Sequence, residues 1–369
     1  MSADWYGIAN VREIASPALL IYPDRVGENI RRMIRIAGRV GNLRPHMKTH
    51  KMPKVIRMQV EQGITRFKCA TIAEAEMTAA AGAEDVLLAY QPVGPNVDRF
   101  LELAARFPSV RFSCTADNPG SVGDLSDAAA RSSTRVEVLV DLDVGHHRTG
   151  IAPDTHAFDL YRLIAALPAL APGGLHAYDG HVHDSDVTER TAACEAAFAP
   201  VELLRRGLER EGLPVPRVVA GGTPTFPMHA RRGNVECSPG TSIFWDAGYE
   251  KKLPDLDFLP AALVLTRVVS KPAPGRLCLD LGHKALASEM PPPRVVFLNL
   301  SAVNPVAHNE EHLVVETVDA DAFKVGDCLY GMPWHICPTV ALHSEAVIVE
   351  NGRATQHWKI AGRERKLTI

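Results

Sequence analysis

The sequence has no apolar run long enough to span a bilayer, which argues against a membrane-spanning helix. It has no excess of charge of either sign. The net charge is -3, so no strong field favours nucleic acid or an anionic membrane surface as a partner. Basic residues form no stripe interleaved with aromatics, which leaves a nucleic-acid role unsupported. The opening Met1-Ser2-Ala3-Asp4-Trp5 has no basic segment followed by an apolar stretch, so no signal peptide is expected. The seven cysteines are odd in number and lack close pairs, which argues against a disulfide framework and for a reducing cytoplasm. No Gly-rich dinucleotide fingerprint follows any early strand candidate, which lowers the case for an open doubly wound sheet. Internal repeats and low-complexity tracts are absent as well.

What is present is an ordinary globular composition, with 46% hydrophobic and 22% charged residues in 369, enough chain for two domains. Up to about residue 245 short apolar runs alternate with helical stretches. The strand candidates are Leu43–Met47, Phe67–Thr71, Val86–Tyr90, Val110–Cys114, Val136–Leu142, Leu175–Tyr178, Val218–Ala220 and Val235–Cys237. Helical spacing marks Ile72–Gly82, Pro95–Phe107, Pro153–Leu167 and Val187–Gly212. Eight such alternations predict an α/β fold, a parallel (β/α)8 TIM-like barrel over 17–245. Beyond it the texture changes to strand-like runs between Pro- and Gly-rich turns: Ala261–Val269, Leu277–Leu281, Val295–Leu300, His312–Val318 and Ala346–Val349. A mostly β C-terminal domain is expected from 246–369, joined by residues 1–16.

In a parallel barrel the chemistry lies just after the strands, which directs attention to the polar residues there. The first strand ends Arg44-Pro45-His46-Met47-Lys48-Thr49-His50-Lys51. A lysine at a barrel mouth among other cations can have a lowered pKa and form a Schiff base with an aldehyde cofactor. An isolated lysine is ordinarily a solvated surface residue. This one is not isolated: RPHMKTHK after the opening SPALLIY resembles the fold-type III pyridoxal 5′-phosphate (PLP) enzymes, the alanine racemase-like barrels. Within them the chain looks most like the D-threonine aldolase and D-serine dehydratase branch. The resemblance runs over nearly the whole chain, with several motifs in order. It implies that Lys48 carries PLP.

Asp141-Leu142-Asp143-Val144-Gly145-His146-His147-Arg148-Thr149-Gly150 resembles the family's D-x-G-x-x-R-x-G segment, which implies that Arg148 reaches the phenolic oxygen of PLP. A fixed cation there would stabilise a phenolate. In His176-Ala177-Tyr178-Asp179-Gly180-His181-Val182-His183 the resemblance implies Tyr178 near the pyridine nitrogen and His181 against the ring. The spacing His181-x-His183 also fits a metal pair of barrel amidohydrolases, although those usually follow the first strand. Ala220-Gly221-Gly222-Thr223-Pro224-Thr225 and Ser238-Pro239-Gly240-Thr241 end the seventh and eighth strands, where barrels bind phosphate. Gly222, Thr223, Thr225, Gly240 and Thr241 are the candidates; alone, each segment reads as an ordinary turn.

In the C-terminal domain, Pro333-Trp334-His335-Ile336-Cys337-Pro338-Thr339 on an extended segment would point His335 and Cys337 the same way. The pair resembles the family's H-x-C or H-x-D metal motif, for zinc, manganese or magnesium. Asn309-Glu310-Glu311-His312 resembles a family segment near that site, and a solvated charged turn explains it equally well. The expected activity is a PLP- and metal-dependent lyase acting on a D-amino acid with a β-hydroxyl, with His335 and Cys337 joining Lys48 in catalysis. The outcome preferred here is a D-threonine aldolase giving glycine and an aldehyde. The runner-up is a D-serine or D-threonine dehydratase giving a 2-oxo acid and ammonia, and the alternative from another class is a non-catalytic PLP-binding protein. A racemase lacks a matching Tyr motif for its second base. The resemblance also implies a homodimer.

Overall fold

The computed structural model describes residues 4–369, and the chain divides into two compact units. One takes 32–48, 53–240 and 364–369; the other takes 241–363, 49–52 and the described residues up to 31.

The first unit is the expected barrel. Seven parallel strands run Arg66–Cys69, Asp85–Leu88, Arg111–Ala116, Val136–Leu142, Leu170–Ala177, Val218–Ala220 and Glu236–Cys237, each paired with the next. The eighth place belongs to the segment that starts at Leu43. It touches both edge strands through single parallel bridges, Leu43 to Cys237 and His46 to Lys68. Arg44 N donates to Cys237 O and Met47 N to Lys68 O, while Lys68 N donates back to Pro45 O. Pro45 has no N–H to give, so a regular ladder does not form.

Helices cover the strands where the sequence places caps. Thr71 accepts from Glu74 N, and the Glu74 carboxylate in turn accepts from Ala70 N, which starts the helix Ile72–Ala80. Asp154 and Asp186 cap Thr155–Ala166 and Val187–Arg210 in the same way. Leu87, Leu139 and Val219, from alternate strands, pack as one buried cluster, the layering of a filled barrel. Asp141 lies two residues beyond Leu139 and shares its face, so the next layer toward the strand ends is polar.

The N-terminal end of the barrel is closed by charge. Fully buried Arg44 pairs with Asp85 (2.7 Å) and Glu236 (2.6 Å), and Arg217 pairs with Glu137 (2.8 Å). Arg66 and Arg111 extend this ring outward to Glu236 and Glu137. Each buried charge there has an opposite partner.

The second unit is mostly β, as the sequence predicts. Its sheet runs Asn304–His308, Leu313–Glu316, Arg276–Leu279, Ala262–Ser270, Ala18–Ile21, Glu345–Glu350, Arg353–Lys359. Cys328–Pro333 pairs with Ala262–Ser270, and Val295–Phe297 pairs with Cys328–Pro333. Ala18–Ile21 sits inside this sheet, so the opening segment belongs with the C-terminal strands. Leu20, Leu263, Leu265, Met332 and Val347 form its core. Asn304–His308, Cys328–Pro333 and Arg353–Lys359 were not expected from sequence. The last, Arg-Ala-Thr-Gln-His-Trp-Lys, is largely exposed and has almost no apolar alternation to reveal it. Among the described residues no helix is long and apolar enough to cross a membrane, and all seven cysteines are free.

Candidate active site

The site in the barrel is organised around the ring of Tyr178. Lys48 follows the segment that closes the barrel, and its Nζ lies 5.6 Å from that ring's centroid. The Arg148 guanidinium lies 5.0 Å from it, and the Nζ of a residue absent from the sequence expectations, Lys68, lies 5.6 Å from it. Each cation is within reach of the electron-rich face of the ring. The structure thus brings together Lys48, Arg148 and Tyr178, three of the residues expected to touch PLP, from separate strand ends.

Two glycines make this assembly possible. A Cβ on Gly180 would come within 2.4 Å of the Tyr178 ring, and one on Gly145 within 2.9 Å of His181 Nε2. Gly145 also has φ +118°, outside the usual range of residues with a side chain. The His146 and His181 rings lie nearly parallel, with centroids 6.2 Å apart. His181 is half-buried, whereas His183 is exposed, so the two histidines of the amidohydrolase-like spacing do not converge.

Lys68 is fully buried. Burial and repulsion from Lys48 push its amine down to about 7, against the pull of Asp141 and Asp179. Its Nζ is 3.4 Å from His176 Nε2, and His176 Nδ1 is 2.6 Å from the Asp141 carboxylate. Burial lowers the His176 pKa despite Asp141, with Lys68 and Arg148 adding to the effect. The ring is therefore neutral, with its proton on the nitrogen facing Asp141.

The glycine- and threonine-rich loops meet as expected, but their hydroxyls are partly committed. Thr225 Oγ1 donates to Asp179 Oδ1 (2.9 Å) and accepts from Gly222 N (3.3 Å). Gly240 N donates to Thr223 Oγ1 (3.1 Å). Thr241 Oγ1 lies 3.4 Å from Cys337 Sγ, in the other unit's set of contacts. Ser238, at the end of the eighth strand, is buried and its Oγ has no hydrogen-bond partner; neither has the buried His181 Nδ1. Orphaned buried polar atoms at these two places fit a bound group carrying a phosphate and a ring. A PLP molecule would be held by Lys48, Arg148, Tyr178, His181, Ser238 and the Gly222–Thr223 backbone turn.

Behind Tyr178, Asp179, Cys194 and His229 place one ligand atom each within 4.8 Å of the others. Asp179 Oδ2 is 2.8 Å from His229 Nε2, which is 3.5 Å from Cys194 Sγ. Burial, with Asp179 adding to it, pushes the Cys194 thiol up to about 12. Asp179 Oδ1 also accepts from Thr225, so in this structure the cluster joins three segments as a clip that fixes the turn carrying Tyr178 and His181.

In the second unit His335 and Cys337 do come together, on a different backbone from the extended one expected. His335 caps the helix Ile336–Leu342, with Cys337 in its first turn. Pro338 is tolerated there because first-turn N–H groups have no helical partner. His335 Nδ1 lies 2.5 Å from Glu289 Oε1, and Cys337 Sγ lies 3.2 Å from Thr49 Oγ1. Asp246, raised to about 6 by burial, accepts from Ile336 N at 3.1 Å. Burial alone would depress His335; its bond to Cys337, the charges of Cys337 and Asp246 and the bond to Glu289 outweigh it and lift the imidazole to about 9. A donor set that favours a proton on this ring favours a divalent cation there too, so the residues fit a metal. Glu310 and Glu311 stand on an exposed turn paired with Lys284, the solvated reading of that segment.

Comparisons with known proteins agree with this geometry. Residues 21–247 match the family model "Alanine racemase, N-terminal domain", and 261–349 match "Putative serine dehydratase domain". A D-threonine aldolase of Arthrobacter sp. is 32% identical over 87% of this chain and 85% of its own length. A 3-hydroxy-D-aspartate aldolase of Paracoccus denitrificans (strain Pd 1222) is 31% identical over 95% of this chain and 92% of its own. The solved D-threonine aldolase of Filomicrobium marinum superposes with a TM-score of 0.88 at 27% identity, covering 98% of both chains. Dehydratases are also among the matched proteins.

Proposed function

The chain belongs to the D-threonine aldolase and D-serine dehydratase branch of the alanine racemase-like PLP-dependent lyases, and from that premise we propose that it cleaves D-β-hydroxy-α-amino acids to glycine and an aldehyde. The convergence of Lys48 and Arg148 on the ring of Tyr178 carries this reading. Lys48 would hold the cofactor through its amine. Arg148 would keep a permanent positive charge beside the phenolic oxygen, and Tyr178 would offer the pyridine nitrogen a neutral hydroxyl. PLP, when bound, supplies an electron sink for the bond broken at the substrate α-carbon. A neutral partner at the pyridine nitrogen makes that sink weak, which suits an enzyme that also uses a metal. A divalent cation held by His335 and Cys337 would supply Lewis acidity toward a β-hydroxyl. Both aldolase relatives above act on such substrates by name.

The thiol and imidazole pair also favours a second reading, β-elimination to a 2-oxo acid and ammonia, in which Lys48 would take the α-proton. Purified enzyme supplied with D-threonine, PLP and a divalent metal distinguishes the two. Glycine and acetaldehyde in equal amounts are expected. Formation of 2-oxobutyrate with ammonia would replace the aldolase by the dehydratase, and no turnover of any D-β-hydroxy amino acid would remove both.

A further inference from the structure

Lys68 has no task in the function proposed above, yet it occupies the barrel interior beside the lysine that matters most. Its backbone is bonded in both directions to the segment leading to Lys48, through Pro45 and Met47. The two amines lie at the same 5.6 Å from the Tyr178 ring centroid. Behind Lys68 run His176 and then Asp141, both buried. Burying an ammonium is expensive, and an apolar side chain would fill the same space without that cost.

Resting on the reading of Lys48 as the cofactor lysine, we propose that Lys68, backed by His176 and Asp141, is the proton-exchange partner of Lys48. An ammonium cannot attack a carbonyl carbon. Lys68 in its neutral form takes up one proton given off by Lys48, relayed through solvent in the pocket, and the lone pair so freed on Lys48 Nζ bonds to the aldehyde carbon of PLP. The aldehyde oxygen leaves as water, taking the two protons that remained on Lys48. Hydrolysis runs the same transfers backward, and no oxidant or reductant is required.

The surroundings suit Lys68 to this work. At neutral pH its amine is divided between charged and neutral forms, as a proton-transfer group should be. Lys48 and Arg44 disfavour its charge, and Asp141 and Asp179 favour it. Neutral His176 turns a lone pair toward Lys68 and donates its proton to Asp141, so Asp141 steadies the charged form of Lys68 through the ring.

The test follows imine formation rather than turnover. The full chain stripped of cofactor is mixed with PLP between pH 6 and pH 9, and the imine absorbance is timed by stopped flow. For the unaltered protein the rate should rise with pH through an inflection near the Lys68 value of about 7. Lys68→Met should slow imine formation at neutral pH on the order of tenfold or more and abolish the inflection. Lys68→Arg keeps the charge but cannot accept a proton, and should be as slow. Asp141→Asn leaves the amine in place but removes its attraction, so the inflection should move to lower pH; a merely structural Lys68 would leave the profile alone. Imine fixed by borohydride at Lys48 in all variants, with unaltered rates and pH profile, overturns this proposal alone. Imine absent from the unaltered protein, or fixed elsewhere, overturns the reading of Lys48 with it.

Discussion

The two ends of the barrel handle positive charge in opposite ways. At the N-terminal end Arg44, Arg66, Arg111 and Arg217 are each joined to a carboxylate of another strand. At the C-terminal end Lys48, Lys68 and Arg148 gather around an aromatic ring instead. Paired charges fix the strand starts and cancel one another, whereas cations assembled at the other end leave positive potential for a phosphate and a phenolate. The same scaffold is thus braced at one end and held ready for an anion at the other. Mutations at the two ends should separate stability from chemistry.

The largest effect is expected at Lys48. Lys48→Ala should lower lyase turnover on the order of a thousandfold or more and remove the imine absorbance, while the thermal midpoint without cofactor stays close to that of the unaltered chain. A comparable loss of folding stability would show that this end is braced too. Next comes Arg44→Met, which leaves Asp85 and Glu236 at the barrel floor with only Arg217 and the more exposed Arg66 as partners. A loss of about 3–5 kcal/mol in urea unfolding is expected, with the Km of the surviving folded enzyme unaltered.

Lys68 sharpens the comparison through pH. Its amine titrates near 10.5 in an unfolded chain and at about 7 in the fold. Between those values the unfolded state holds a proton that the folded state does not, so stability falls as pH drops from 10.5 toward 7, and the loss levels off below 7. Lys68→Met escapes this loss. It should be more stable than the unaltered protein at pH 6 by roughly 5 kcal/mol, with the gain shrinking toward pH 10. A pH-independent difference would show that Lys68 is not neutralised by folding. The smallest effect belongs to the rim of the braced end: Arg111→Ala, half-exposed, should cost less than about 1 kcal/mol and fade in high salt.

Much of this was legible in the sequence, and the failures have physical causes. Val136–Leu142 and Val218–Ala220 stood out as apolar runs bounded by polar or Gly-rich segments, and Lys48 through its motif, so the residues at these strand ends could be nominated. Lys68 was missed because a lysine within Arg66-Phe67-Lys68-Cys69 reads as a side chain turned to solvent. The available signal was that Phe67 and Cys69 share one face, and in a closed barrel the other face is interior. His335 and Cys337 were expected on an extended segment and stand instead at the start of a helix, because Pro338 reads as a strand neighbour until it is seen in a helix's first turn. Thr225 looked like a phosphate donor, but its hydroxyl is occupied by Asp179, a partner 46 residues away in the chain that no local pattern displays.

The incomplete eighth strand has a mechanical consequence. Where the other strands pair through two or more successive residues, this segment meets its neighbours at two isolated bridges, with a proline between them. Arg44, buried on the same segment, makes up the difference through Asp85 and Glu236. The stave that carries Lys48 is thus pinned at its foot by ion pairs, where its neighbours are pinned by backbone ladders.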